Sequence, residues 1–161
     1  MMELLPMNYR ISGLSSDLFA PLFGLDDATL ATQGIHRMVA PDEGMYPCRV
    51  TLADVPAGTP VLLLRFCHQP ANSPYRAEGP IFVTEGPVPT RVVENTVPPM
   101  MAKRLLSVRA YNRDDLIVEA DVVDGKEADG LLRDYLARSD IAYLHVHFAK
   151  RGCYAGRVDR V

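Results

Sequence analysis

The sequence predicts an α+β fold, a largely antiparallel sheet carrying a few helices, and three observations predict it. At least five segments alternate polar and apolar residues with the period of a strand. Only one stretch, residues 126–138, sustains the apolar stripe of a helix, and the strand-like runs follow one another instead of alternating with helices as a parallel sheet demands. With 161 residues, 48% of them hydrophobic, the chain holds apolar material for one domain over residues 1–161 and too little for a second of ordinary size.

Each element can be read in turn. Tyr9, Ile11 and Leu14 suggest a first strand running into a turn at Gly13, after which Ser15, Ser16 and Asp17 offer N-caps for a helix over 18–25. Asp26 and Asp27 cap a second short helix that ends at Gly34. Residues 35–39 make a short strand, PDEGMYP is a turn cluster, and the alternation of CRVTL reads as another strand. In VLLLRFCH, Leu62, Leu64, Phe66 and His68 share one face and Val61, Leu63, Arg65 and Cys67 the other, the pattern of a central strand buried on both sides with His68 at its exit.

Of the 13 prolines, 11 lie between Pro41 and Pro99, so this half is expected to be rich in stiff loops. IFVTE is a short strand within it, and residues 86–99 form an irregular connection. LLSVRAYN and LIVEADVVDG alternate cleanly and are joined by a turn at 112–115. The helix over 126–138 carries Leu131, Leu132, Tyr135 and Leu136, and IAYLHVHFA then pairs with CYAGRV around 150–152 as a final hairpin.

Composition excludes several classes. A net charge of −3 without long runs of either sign gives no support to a nucleic-acid binder, and no apolar run approaches the roughly 18 residues that cross a membrane. The start MMELLPMNYRIS lacks both a basic n-region and an unbroken apolar h-region, so a cytoplasmic protein is expected. Cys48, Cys67 and Cys153 make an odd count with no CxxC pair and are expected as free thiols. The dinucleotide, P-loop, hydrolase-elbow and zincin motifs are all missing.

The residues that can carry chemistry form two groups. In YLHVHFA, Tyr143, His145 and His147 project from one strand face while Leu144, Val146 and Phe148 face the core, so two imidazoles stand together as candidate acid/base catalysts. In HQPANSPYRAEGP, Pro70, Pro74 and Pro80 bracket Tyr75 and Arg76 and restrict the backbone that presents them. Arg109 and Tyr111 repeat the pairing of guanidinium and phenol on one strand face, and Arg49 lies just past a turn. Of the 17 basic residues 14 are arginines, a bias that suits anion recognition but that a GC-rich genome would also produce, so only the positions of Arg49, Arg76 and Arg109 carry the argument.

The leading expectation is a pocket for a small anionic ligand, with Arg49, His68, Tyr75, Arg76, Arg109 and Tyr111 binding it and His145 or His147 moving protons. Two others stand beside it. The same residues form the polar network of a non-catalytic interaction or structural domain, or His145, His147 and Cys153 bind a metal with Cys48 or His68 as the further ligand. No motif identifies a cofactor.

The blocks PCRV, HQPANSPYRAEGPIFV, VRAYN and HVHFAKRGCYAGRV, in that order, resemble a bacterial family catalogued as domain of unknown function 1203. The resemblance covers nearly the whole chain and implies a small bacterial domain, with no activity attached. Its pattern carries Asn where this chain has Phe148, a departure compatible with an apolar-facing position.

Overall fold

The computed structural model describes residues 7–42 and 44–161; the N-terminal stretch through Pro6 and Glu43 of the predicted turn cluster lie outside the described residues. Among the described residues, eleven strands and three α-helices build an α+β fold with two mostly antiparallel sheets, where the sequence suggested one.

The strands are β1 (Tyr9–Ser12), β2 (His36–Val39), β3 (Pro47–Cys48), β4 (Ala53–Asp54), β5 (Pro60–Gln69), β6 (Ala77–Thr84), β7 (Val92–Glu94), β8 (Leu105–Tyr111), β9 (Ile117–Asp124), β10 (Tyr143–Phe148) and β11 (Tyr154–Arg160). The helices are α1 (Asp27–Thr32), α2 (Pro99–Ala102) and α3 (Ala128–Leu136). The larger sheet runs β7-β1-β11-β10-β8-β9 and the smaller β2-β5-β6-β3-β4. Every pairing is antiparallel except that of β3 with β6, which meet at Cys48 and Phe82.

The expected helix over 18–25 is replaced by two single 3-10 turns, Ser16–Leu18 and Ala20–Leu22. Pro21 supplies no backbone N–H and Gly24 turns at φ +76°, so no further turn propagates. Ser15 does cap the first turn, its hydroxyl accepting from the Asp17 amide. Asp26 caps α1 by accepting from the Thr29 amide, and Gly34 closes that segment at φ +72°.

CRVTL is not a strand beyond Cys48. Residues 49–52 form turns ending at Leu52, φ +53°, and Arg49, Val50 and Leu52 are all buried. The backbone of this segment is held by residues distant in sequence: the Leu14 amide donates to the Arg49 carbonyl and the Arg91 amide to that of Val50. A Cβ on Gly13 would lie 2.3 Å from the Val50 carbonyl oxygen, so only glycine permits the approach.

Two short elements were not foreseen, β7, which pairs with β1, and α2. The helix predicted at 126 begins as a 3-10 turn, Gly125–Glu127, and becomes α-helical at Ala128. Its Leu132, Tyr135 and Leu136 pack beneath Leu106, Val108, Ala110, Leu144, Val146 and Val158 of the larger sheet. A second core joins Val61, Leu62, Ile81 and Val83 of the smaller sheet to Phe19, Leu30 and Val50. Among the described residues no helix is long and apolar enough to cross a membrane.

Candidate functional site

The alternation predicted for β10 is realised. Leu144, Val146 and Phe148 join the core against α3, which leaves Tyr143, His145 and His147 on the opposite face. That face is not open to solvent: His145 is 3% exposed and His147 1%. The C-terminal end of β5, where the register shifts between Phe66 and Gln69, brings His68 onto it from the other sheet. One ring nitrogen from each of His68, His145 and His147 lies within 4.8 Å of the others.

Aromatic rings enclose this trio. Tyr154 stacks on His68 at 5.4 Å between centroids and lies nearly perpendicular to both other imidazoles, at 5.3 and 5.8 Å. Tyr111 lies 5.0 Å from His145 and stacks on Tyr143, and Tyr75 meets Tyr111 edge-on at 6.3 Å. The proline-rich loop is tied down at both ends. Gln69 donates to the Tyr143 hydroxyl at 2.9 Å, Tyr143 donates to Asp115 at 2.6 Å, and the Ser73 hydroxyl donates to the Asp115 carbonyl.

The protonation of the trio follows from its surroundings. His147 Nδ1 lies 2.9 Å from the Gly152 carbonyl, an acceptor only, so Nδ1 carries the proton and Nε2 the lone pair. Arg109 Nη1 approaches that Nε2 at 3.4 Å. Burial, then the charges of His147, His68, Arg157 and Arg109, push His145 down to about 3. Burial pushes His147 down to about 4 against the Gly152 bond, and His68 is lowered by burial and by Arg109. All three are neutral at neutral pH, each with a ring lone pair that can accept a proton or a cation, that of His147 facing Arg109. Nδ1 of His68 and Nδ1 of His145 are buried and have no hydrogen-bond partner among the described residues, a state that costs about 1–3 kcal/mol each unless something fills it.

Of the eight residues singled out in the sequence, His68, Tyr75, Arg109, Tyr111, His145 and His147 come together. Arg76 does not join them. It is exposed and its guanidinium folds back on the Pro70 carbonyl of its own loop.

Arg49 lies elsewhere, 1% exposed, donating through Nε to the Tyr154 carbonyl at 2.7 Å, through Nη1 to the Pro47 carbonyl and through Nη2 to Cys153 Sγ at 3.1 Å. Cys153, expected beside the histidines, is therefore held by Arg49 instead. Cys48, the other proposed ligand, is buried and accepts from the Thr84 amide. All three thiols are unpaired. Reading from sequence missed Tyr154 and the Gln69–Tyr143–Asp115 chain as parts of the site. Tyr143 shares the period-2 face of His145 and was within reach of that logic, whereas Tyr154 enters through an irregularity between Val146 and His147 in the β10–β11 register.

The profile of the family described as "Protein of unknown function (DUF1203)" matches residues 45–160. The chain belongs to that family. The match begins after α1 and β2, so it is shorter than the resemblance read from sequence, and it takes in every residue of this DUF1203 site. No curated protein and no solved structure matches the chain.

Proposed function

We propose that this DUF1203 protein holds a divalent transition metal on His68, His145 and His147. The observation that carries the reading is the convergence of three neutral imidazoles from two sheets, His145 and His147 buried and His68 half-buried, two of the three with an unpartnered ring nitrogen. An all-imidazole set suits zinc, copper, iron or nickel. The Gly152 carbonyl holds His147 as backbone carbonyls commonly hold metal-binding histidines, by accepting from the nitrogen that does not coordinate. Three nitrogens on one tetrahedral zinc lie about 3.4 Å apart, so the imidazoles must close by about 1 Å on loading.

Loading also requires Arg109 to release His147 Nε2. The freed guanidinium would then hold an anion beside the metal, with Tyr75 and Tyr111 at the loop side. A three-histidine metal leaves a coordination position for water or substrate, which suits hydrolysis or hydration of a small anionic molecule.

The contact between Arg109 and His147 favours a second reading, a metal-free pocket in which His147 takes a proton from an anion bound by Arg109. Metal content separates the two. Protein purified without an affinity tag, stripped, reloaded with zinc or cobalt and dialysed should retain one metal per chain. His68→Ala and His147→Ala should each lose it. Retention below about a tenth of an equivalent, or retention unchanged in both variants, removes the metal centre and leaves the second reading.

A further inference from the structure

The opposite face of β10 borders a different feature. Phe148, one residue beyond His147, forms part of the wall of a cavity of about 640 Å³ between the loop before β3, the start of β8 and the turn joining β10 to β11. Among the described residues, Arg49, Lys103, Arg104, Lys150 and Arg151 line it with Asp124. Lys103 and Arg104 share a single carboxylate, Asp54. Five cations against two carboxylates leave an excess of three positive charges, in a chain whose net charge is −3.

Arg49 makes this excess costly. Its buried guanidinium has two carbonyls and a thiol as acceptors, and no carboxylate among the described residues lies within 4 Å of it. A buried cation without a countercharge is a strongly unfavourable arrangement unless an anion arrives from outside. Lys150 and Arg151, both exposed, make no ion pair among the described residues and stand at the mouth as free cations.

The remaining wall is largely apolar, with three aromatic rings among its residues. Tyr46 stacks on Phe82 at 4.3 Å between centroids, and the guanidiniums of Arg49 and Arg104 each lie 5.1 Å from the centre of the Phe148 ring. Flat apolar surface beside concentrated positive charge selects an anion attached to a ring, and the volume is that of a small-molecule site.

We propose that this cavity binds a phosphate monoester whose organic part includes a flat ring, a chemical class that takes in the mononucleotides. A phosphate dianion matches the charge excess better than a single carboxylate, and arginine and lysine supply charge-assisted donors for its oxygens. The site is separate from the histidine trio, because His147 and Phe148 point to opposite faces of one strand.

The test uses the whole chain and reads Cys153, which lines the cavity, as a local reporter. Adenosine monophosphate, flavin mononucleotide and phenyl phosphate are each added at up to about 5 mM in low salt, and alkylation of Cys153 and of Cys67 is followed by mass spectrometry. At least one ester should slow alkylation of Cys153 about tenfold and leave Cys67 unchanged, while adenosine should have no effect. The exposed pair Lys150→Ala and Arg151→Ala, combined, should weaken that ester about tenfold or more without altering the melting temperature. His68→Ala should leave it unaffected. The proposal is overturned if none of the three esters protects Cys153, if adenosine protects as well as its phosphate, or if the double variant binds as tightly as the parent.

Discussion

Lowering the pH of the metal-free protein from 7 to 5 should remove about 4 kcal/mol of folding stability, and the histidine trio is the reason. In the unfolded chain each imidazole titrates near 6.5, whereas burial pushes His145 down to about 3 and His147 down to about 4 in the fold. Between these limits the unfolded chain binds protons that the folded protein refuses. Stability is therefore full above pH 6.5 and is lost as the pH falls. At pH 5 each of the two residues has given up about 2 kcal/mol, from 1.5 pH units at roughly 1.4 kcal/mol per unit, and His68 adds to the loss in the same direction. Carboxylates with depressed pKa, such as Asp54 and Glu85, lose their contribution only at lower pH, which leaves this window to the histidines. Urea unfolding followed by circular dichroism at pH 7, 6 and 5 measures it, with a midpoint expected to fall by about 2 M. His145→Gln and His147→Gln should each remove about half of the pH-dependent part. An identical midpoint at pH 5 and pH 7, or an undiminished slope in the double variant, refutes the reasoning.

Two further outcomes rest on single contacts. A Cβ at Gly125 would lie 1.9 Å from the Met101 carbonyl oxygen and 2.7 Å from that of Arg104, so Gly125→Ala should destabilise by about 3 kcal/mol, read as a drop in melting temperature. Tyr143→Phe deletes the hydroxyl that joins Gln69 to Asp115; it should cost about 1–2 kcal/mol and raise amide exchange in residues 70–76, since that loop loses one of its two anchors.

The parts of this molecule that were legible in its sequence are those governed by local periodicity. Leu144, Val146 and Phe148 had to face the core once β10 was recognised, and His145 and His147 then had to share the other face. His68 could be placed at the exit of β5. Its meeting with β10 could not be read, because it depends on how two sheets are set against each other. CRVTL misled because alternating apolar residues also occur where a chain turns inside a core. What bends it there is contact with Gly13 and Leu14, distant in sequence. Cys153 was expected beside the histidines from the turn that precedes it, but it lies just before β11, where its thiol meets the Arg49 guanidinium, and no local pattern shows that long-range contact.

The order of strands in the larger sheet sets the route by which it can be assembled. β11 lies between β1 and β10, and Tyr9 faces Arg160 across the first of these pairings. During synthesis β8, β9 and β10 can pair in the order β10-β8-β9, but β1 and β7 wait for the strand that connects them to this group. Until β11 emerges, the outer edge of β10 exposes a row of unsatisfied backbone groups beside His145 and His147, an invitation to pair with another chain. Closing so long a loop is slow, so this edge stays open until β1 and β11 meet.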